Sequence, residues 1–445
     1  MNLSPIGIIS KLKAKTGRVQ YSCRFLQSSA LALGIRVCGA VISYSTQVFI
    51  ARFLGTFDFG LYSFAWSCAF LLSIPATMGL DQVLLRYYPA YMVQADFAKA
   101  AGLFRFAVAI ILLSSLTIVA VVSTVTVFVA VGDSKHFARP VLVALWAILP
   151  LALLILGRGC GRAMHTPMLA LIPQELAFPF LLFSAVGVLS MTDMGGSASV
   201  VLFVALISLS ILVAGQVIGL IRCVPSQVRT VRPQYEGCQW IRIALPMVIM
   251  AVFTQLMERS DVLMVGMFLS PKEVAVYNAA SRTATIMQFT VVALLAFTVP
   301  SFSALHTAGK HQELKMLLAR VFQWTLLATM VVAIALSALS EMVMGLFGPE
   351  FTEGTHALVV LIVAQSFLAI QGPAAQLLLM IGHQAVTALI YGAGAALNIL
   401  LNTIFIPAFG IEGAAAGTAI ASVVSTVWIN LAVRRRLNIR AFTLA

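Results

Sequence analysis

Charge is scarce in this chain of 445 residues. Asp, Glu, Lys and Arg make up 10% of it, against about 25% in soluble globular domains. With 61% hydrophobic residues and a mean hydropathy of +1.01, that shortage excludes a water-soluble globular protein. Only six cysteines occur (Cys23, Cys38, Cys68, Cys160, Cys223 and Cys238), none at metal-ligand spacing, so neither a disulfide framework nor a zinc site is expected. The chain has no GxxxxGK[ST] loop, so work would be driven by an ion gradient, the membrane potential or removal of product rather than by a bound nucleotide. Residues 1–27 are basic and lack a short apolar core with a small-residue cleavage site, so no removable signal peptide is expected.

What is abundant is apolar sequence in runs long enough to cross about 30 Å of hydrocarbon as helices. Twelve such runs are expected, at 28–50, 60–80, 103–131, 140–157, 168–190, 199–221, 244–269, 275–302, 318–346, 355–381, 384–407 and 411–433. They are too continuous for barrel strands. The fold expected is an all-α integral membrane protein with about twelve transmembrane helices in two six-helix repeats, forming two lobes around a central cavity. Its segments are a basic cytoplasmic stretch 1–27, an N-terminal lobe 28–221, a cytoplasmic linker 222–243, a C-terminal lobe 244–433 and a basic cytoplasmic tail 434–445.

Of the 28 Lys and Arg, only Arg52, Lys135, Arg139 and Lys272 fall in outer segments if the N-terminus is inside, and Arg36, Arg259 and Arg282 fall within spans. The positive-inside rule then places both termini in the cytoplasm. The net charge of +13 follows from this asymmetry and from attraction to anionic inner-leaflet lipid, and gives no reason to invoke nucleic acid.

Shifted by 215 residues the chain aligns with itself: Phe53-Leu54 through Leu61-Tyr62 lies over Phe268-Leu269 through Val276-Tyr277, and Gly195 over Gly410. A third pair, His165 with Ala170-Leu171-Ile172 over His383 with Ala388-Leu389-Ile390, needs a shift of 218. Two homologous halves enclosing a path is a common build of secondary transporters, with the substrate site near the bilayer midplane.

Ile50-Ala51-Arg52-Phe53-Leu54-Gly55, Phe59-Gly60-Leu61-Tyr62 and Gly79-Leu80-Asp81 through Tyr88-Pro89 resemble the amino-terminal signature of bacterial polysaccharide flippases. Asp261 through Leu269, Glu273 through Tyr277, Pro300, Leu346 through Phe351, and Asn398 to Asn402 leading to Ile406 through Ala414 agree. Across nearly its whole length the chain resembles the Wzx-type lipid-linked oligosaccharide flippases of the multidrug/oligosaccharidyl-lipid/polysaccharide exporter superfamily. The resemblance implies a transporter that moves a polyprenyl-diphosphate-linked O-antigen, capsule or exopolysaccharide unit from the cytoplasmic to the periplasmic leaflet of the bacterial inner membrane. It also implies polymerase and chain-length proteins as partners. No cofactor is expected beyond a coupling Na+ or H+, and the state expected is a monomer, because the cavity is intramolecular.

Ionisable groups inside a span are costly and usually face a cavity. Arg282 in span 8, Arg36 in span 1 and Arg259 in span 7 are the expected substrate-binding residues, since guanidinium binds phosphate oxygens bidentately. The resemblance implies cavity-facing arginines on spans 1 and 8. The competing interpretation is an ion pair of Arg282 with Glu258 or Asp261 that locks the second lobe. Glu258 and Asp261 could instead hold a proton or sodium ion with Asn398 or Asn402 of span 11, or simply balance the neighbouring arginines. Glu175, between Pro173 and Pro179, is a further candidate of this kind, or a polar group satisfied where proline opens a helix.

Other polar residues have simpler readings. Asp81 with Arg86 is expected at the cytoplasmic interface, His165 and His383 in a turn repeated by duplication, and Tyr87, Tyr88, Tyr91, Trp146 and Trp240 as interfacial anchors. A drug or metabolite exporter coupled to a cation is the rival function and would favour cavity acids without compensating arginines. A membrane polymerase or ligase would need a sizeable outer loop, whereas the outer connections Gly132–Arg139, Met191–Ser197 and Ser270–Glu273 are short.

Overall fold

The computed structural model describes residues 5–129, 135–192 and 196–437. Gly195 of the repeat, Gly132 to Ser134 of an outer connection and Arg440 of the tail lie outside the described residues, as do the side chains of Lys11 to Arg24. The first half holds α1 (Pro5–Ala76), α2 (Leu80–Val93), α3 (Phe97–Val129), α4 (Lys135–Leu145), α5 (Ile148–Ala163), α6 (Pro167–Leu171), α7 (Phe178–Leu189) and α8 (Ala198–Cys223). A short α9 (Ser226–Thr230) lies in the linker. The second half holds α10 (Gly237–Phe268), α11 (Pro271–Ala284), α12 (Gln288–Thr307), α13 (His311–Ala338), α14 (Ser340–Gly345), α15 (Thr355–Met380) and α16 (Gln384–Leu437).

Eight of these stretches are long and apolar enough to cross a membrane, nine if the bent pair His136–Leu145 and Ile148–Ala163 is one span. The bundle is a multi-pass integral membrane protein with its apolar faces turned outward: Leu113 of α3 is 65% exposed, Ile211 of α8 58% and Ile334 of α13 66%. In water such faces would be a liability, and in lipid they are the expected solvent contact.

The sequence pattern suggests loops at 51–59 and 408–410, whereas α1 and α16 run through both places with a single residue out of helical geometry. These are Gly55 (φ 74°, ψ 175°) and Gly410 (φ 59°, ψ −138°), a backbone region open mainly to glycine. At 1.5 Å per residue, the 44 residues of Leu33–Ala76 would make a rod of about 66 Å, roughly twice the hydrocarbon thickness. The break is therefore a structural necessity.

The halves meet tightly at the end of the bundle that carries Gly55. Arg52 Nε donates to Leu346 O at 2.6 Å and Thr56 Oγ1 to Glu350 Oε2 at 2.6 Å. Phe59 packs edge-on against Phe351, and Tyr44 against Phe347. Deeper in, Asn278 Nδ2 donates to Ser63 Oγ at 3.0 Å, a pair separated by 215 residues, the same interval as the internal repeat. Equivalent positions of the two halves therefore touch each other.

At the opposite end the linker is fastened to the first half. Gln234 N donates to Ala98 O at 3.0 Å, Lys99 Nζ lies 2.9 Å from Glu236 Oε1, and Tyr91 donates to Glu236 at 3.3 Å. Trp240, expected as an interfacial anchor, is wholly buried and donates its indole N–H to Tyr91 Oη at 3.1 Å. Trp146 is exposed, as an anchor should be. Asp81 and Arg86, expected together at the cytoplasmic interface, have different partners. Asp81 accepts from Gln82 at 2.6 Å and lies 4.0 Å from Arg162, while the Arg86 guanidinium sits over the Tyr87 ring. Neighbours in sequence on one helix need not face each other, and here the partner comes from α5.

Candidate functional site

Between the halves lies a cavity of about 280 Å³. α1 supplies Gln47, Tyr62, Trp66 and Phe70, α5 supplies Arg158, the segment before α7 supplies Glu175, and the second half contributes Arg259 from α10 and Arg282 from α11. The wall at Glu175 is shaped by proline. Pro173, which has no N–H to donate, falls in a π-helical turn, Ile172–Ala177, that displaces the backbone locally. Gly39 lets α1 approach this turn, since a Cβ there would lie 2.2 Å from Glu175 O.

Three guanidiniums thus face one carboxylate. Arg158 Nη2 meets Glu175 Oε1 at 2.8 Å, but its Nε is buried without a partner. The Arg259 guanidinium stacks 4.2 Å from the centre of the Phe70 ring, and its Nε is likewise unpaired. No ion pair within 4.0 Å joins Arg282 to Glu258, Asp261 or any other acid among the described residues. The Tyr62 hydroxyl acts on it electrostatically, as do Glu258 and Asp261 from beyond that distance. Buried donors without acceptors cost about 1–3 kcal/mol each. An anion seated here would recover that cost, and the surplus of positive charge would attract it.

Arg282 and Arg259 therefore line the cavity, and no ion pair within 4.0 Å locks Arg282 to the acids among the described residues. Arg36 is exposed on α1 outside this lining, close enough for its charge to act on Arg158. Arg158 escaped the sequence reading because it falls at the end of an expected span, where arginine normally reports orientation. The glycine-rich run Gly157-Arg158-Gly159-Cys160-Gly161, which allows close packing in mid-helix, was the available signal. An Arg158→Ala variant should lower anion binding more than the Arg158→Ala/Glu175→Ala double variant. The single change leaves a carboxylate unpaired in the cavity, with a coupling of about 0.5–3 kcal/mol expected in a double-mutant cycle.

The acids of α10 part company. Asp261 is buried, accepting from Tyr277 Oη at 2.7 Å and from the Val262 N–H at 2.8 Å. Close to Tyr277 stands Thr418, which accepts from Asn398 Nδ2 at 3.1 Å. Asn398 Oδ1 in turn accepts from Ser260 at 3.2 Å and from Asn402 Nδ2 at 2.9 Å, and Asn402 Oδ1 is buried with no partner. Asp261 and the Asn398–Asn402 pair thus lie in neighbouring buried hydrogen-bonded groups. Glu258 stands outside them, exposed to a second cavity of about 320 Å³ in the second half. His165 (φ 55°) and Gly382 (φ 87°), next to His383, turn the chain at matching places in the two halves.

A family profile described as "Polysaccharide biosynthesis protein" matches residues 25–306, and one described as "MatE" matches residues 246–404. A probable low-salt glycan biosynthesis flippase, Agl15, of Haloferax volcanii is 30% identical over 171 residues, 38% of this chain and 36% of that protein. An uncharacterized membrane protein of Methanocaldococcus jannaschii is 28% identical over 142 residues, 32% of this chain and 28% of that protein. The chain thus spans about a third of the length of these curated relatives.

Among solved structures, the inward-facing conformation of a multidrug resistance MATE family transporter of the MOP superfamily matches with a TM-score of 0.77 at 14% identity, covering 94% of this chain and 100% of that one. The lipid II flippase MurJ in an inward closed conformation matches with 0.70 at 14%, covering 91% and 87%. An outward-facing MATE family transporter reaches 0.62 at 14%, covering 92% and 95%. At such identities the likeness is one of fold.

Proposed function

Because the chain belongs to the polysaccharide biosynthesis protein family, we propose that it flips a polyprenyl-diphosphate-linked oligosaccharide across the bacterial inner membrane, from the cytoplasmic to the periplasmic leaflet, by alternating access. The observation that carries this reading is the inter-lobe cavity in which Arg158, Arg259 and Arg282 face a single acid, Glu175. A lipid diphosphate brings two adjacent phosphates that need fixed, desolvated donors, and guanidinium supplies them in pairs. A cationic drug would be repelled by the same cavity, which disfavours the exporter alternative.

Twelve crossings with both termini cytoplasmic fit this scheme. Dividing Leu33–Ala76 at Gly55 and Gln384–Arg436 at Gly410, and taking α11 with α12 and the bent pair as one span each, gives six per half. The contacts at the Gly55 end then close the periplasmic side, and the protein faces inward.

The buried cluster of Asp261, Asn398 and Asn402 is the proposed coupling site. A carboxylate, amide oxygens and the hydroxyls of Tyr277 and Thr418 form a set of hard donors suited to a small cation or a proton. Asp261→Asn should remove the dependence of transport on an imposed sodium or pH gradient, a loss of about 5- to 150-fold if the coupling is of ordinary size. Unchanged gradient dependence in proteoliposomes would refute the assignment.

The flipping reading itself is tested by the sidedness of the lipid-linked precursor in depleted cells, read with a glycan-modifying enzyme placed in the periplasm. Accumulation on the cytoplasmic leaflet is expected. Precursor that reaches the outer leaflet normally but stays unpolymerised would put the protein at a later step.

A further inference from the structure

The second cavity has a chemistry opposite to the first. It lies among α10, α12, α15 and α16, and no lysine or arginine lines it among the described residues. Tyr391, Gln371 and Gln376 bring donors to it, and several other polar groups have already spent their protons. Thr254 spends its O–H on Met250 O at 2.9 Å, Thr387 on His383 O at 3.3 Å, and Gln288 spends an amide proton on Gln365 at 2.9 Å. Each then offers lone pairs to the cavity. Gln371, 2% exposed, keeps its Oε1 buried and unpaired. Glu258 adds a carboxylate with no cation within ion-pair distance among the described residues. Glu258 and Arg259 are consecutive on α10 and line different cavities, so the two chambers flank the same turn of that helix.

We propose that this chamber is the glycan subsite and that it selects neutral, hydroxyl- and amide-bearing sugars over sugars that carry a carboxylate. The inference rests on the flippase reading and deepens it. A diphosphate held by Arg259 and Arg282 places the first sugars of the chain beside Glu258. Sugar hydroxyls and acetamido N–H groups donate to the Glu258 carboxylate and to the buried, unpaired Gln371 Oε1, while Tyr391 and Gln376 can donate to sugar oxygens, and a buried acceptor left unpaired is costly. Hexuronic acid in the same place would set two carboxylates together with no lysine or arginine in the lining to offset them, which like-charge repulsion opposes. A site built to pair polar groups discriminates strongly against a ligand that cannot pair them.

The test measures binding of three synthetic probes to the purified full-length protein, with flipping in liposomes followed in parallel. The probes are a bare polyprenyl diphosphate, the same lipid bearing a disaccharide of N-acetylhexosamines, and the same lipid bearing a disaccharide with a hexuronic acid. The wild type should prefer the neutral disaccharide over the uronate by at least about tenfold, a difference of ~1.4 kcal/mol. Glu258→Gln should bring that ratio close to one. Gln371→Leu should weaken the neutral disaccharide and leave the bare diphosphate, which reports the arginine cavity, unchanged. Equal binding of the two disaccharides by the wild type, or a preference that survives Glu258→Gln, would overturn the subsite while leaving the flippase reading intact. If the bare diphosphate neither bound nor crossed, the flippase reading would fall and the subsite with it.

Discussion

Arg282→Ala should abolish transport, by about 100-fold or more, while the protein still reaches the membrane at its normal level. Two charge-assisted hydrogen bonds to phosphate are worth about 1.5–3 kcal/mol each, and every 1.4 kcal/mol is roughly tenfold. The same variant separates a binding role from a structural one. Arg282 has no acid partner within 4.0 Å among the described residues, so losing its charge removes a desolvation cost and breaks no pair. Thermal stability should hold or rise. An arginine that locked the lobe would instead cost about 3–5 kcal/mol when removed. Arg282→Lys should retain part of the activity, since an ammonium keeps the charge without the two-pronged geometry. Normal glycan export by a stably expressed Arg282→Ala protein would sink the role assigned to it.

Gly60→Val should be as damaging for a mechanical reason. A Cβ at Gly60 would fall 1.7 Å from Pro271 O, and that oxygen cannot retreat easily. Pro271 opens α11 within a capping box, in which the Ser270 N–H and hydroxyl both donate to Glu273 at 2.9 Å. Overpacking against such a backbone costs about 1–3 kcal/mol or more, so the Gly55 end should close far less often. The readout is a short bifunctional thiol cross-linker acting between Thr56→Cys and Glu350→Cys, positions whose native side chains are hydrogen-bonded at 2.6 Å, in a background without the six native cysteines. Cross-linking should be efficient in the parent and drop by about tenfold or more with Gly60→Val, with transport falling in step. Undiminished cross-linking would mean that the lobes close without the backbone contact at Gly60.

Hydropathy made the membrane class and most helix positions legible, because a bilayer demands long apolar runs that nothing else explains. Charge made Arg259 and Arg282 legible, because their cost in lipid needs a reason. What stayed hidden is direction around a helix axis. Trp240 reads as an interfacial ring by composition, yet lies wholly buried against Phe106 with its N–H on Tyr91. Arg158 reads as an orientation signal, yet lines the cavity. Glu258 and Asp261 read as one cluster, but one faces a chamber and the other is buried against Tyr277. Gly55 and Gly410 read as parts of loops because sequence marks where helices weaken, and cannot tell a loop from a single residue that breaks an otherwise unbroken helix.

The hydrogen bond between Ser63 and Asn278 spans the 215 residues of the repeat. Two equivalent positions can touch only near the pseudo-symmetry axis, which in parallel repeats runs along the membrane normal. Before duplication this contact would have been a residue facing its own copy across a homodimer of six-helix chains, a self-complementary patch of the kind a two-fold interface requires. Identical side chains on a dyad must serve as both donor and acceptor. Fusion into one chain lifted that constraint, and it is the release from symmetry that allowed one side to become a hydroxyl and the other an amide. The same freedom from symmetry lets one chain carry a cavity with three arginines and one acid beside another that has a carboxylate and no lysine or arginine among the described residues, as a ligand with one charged end would need.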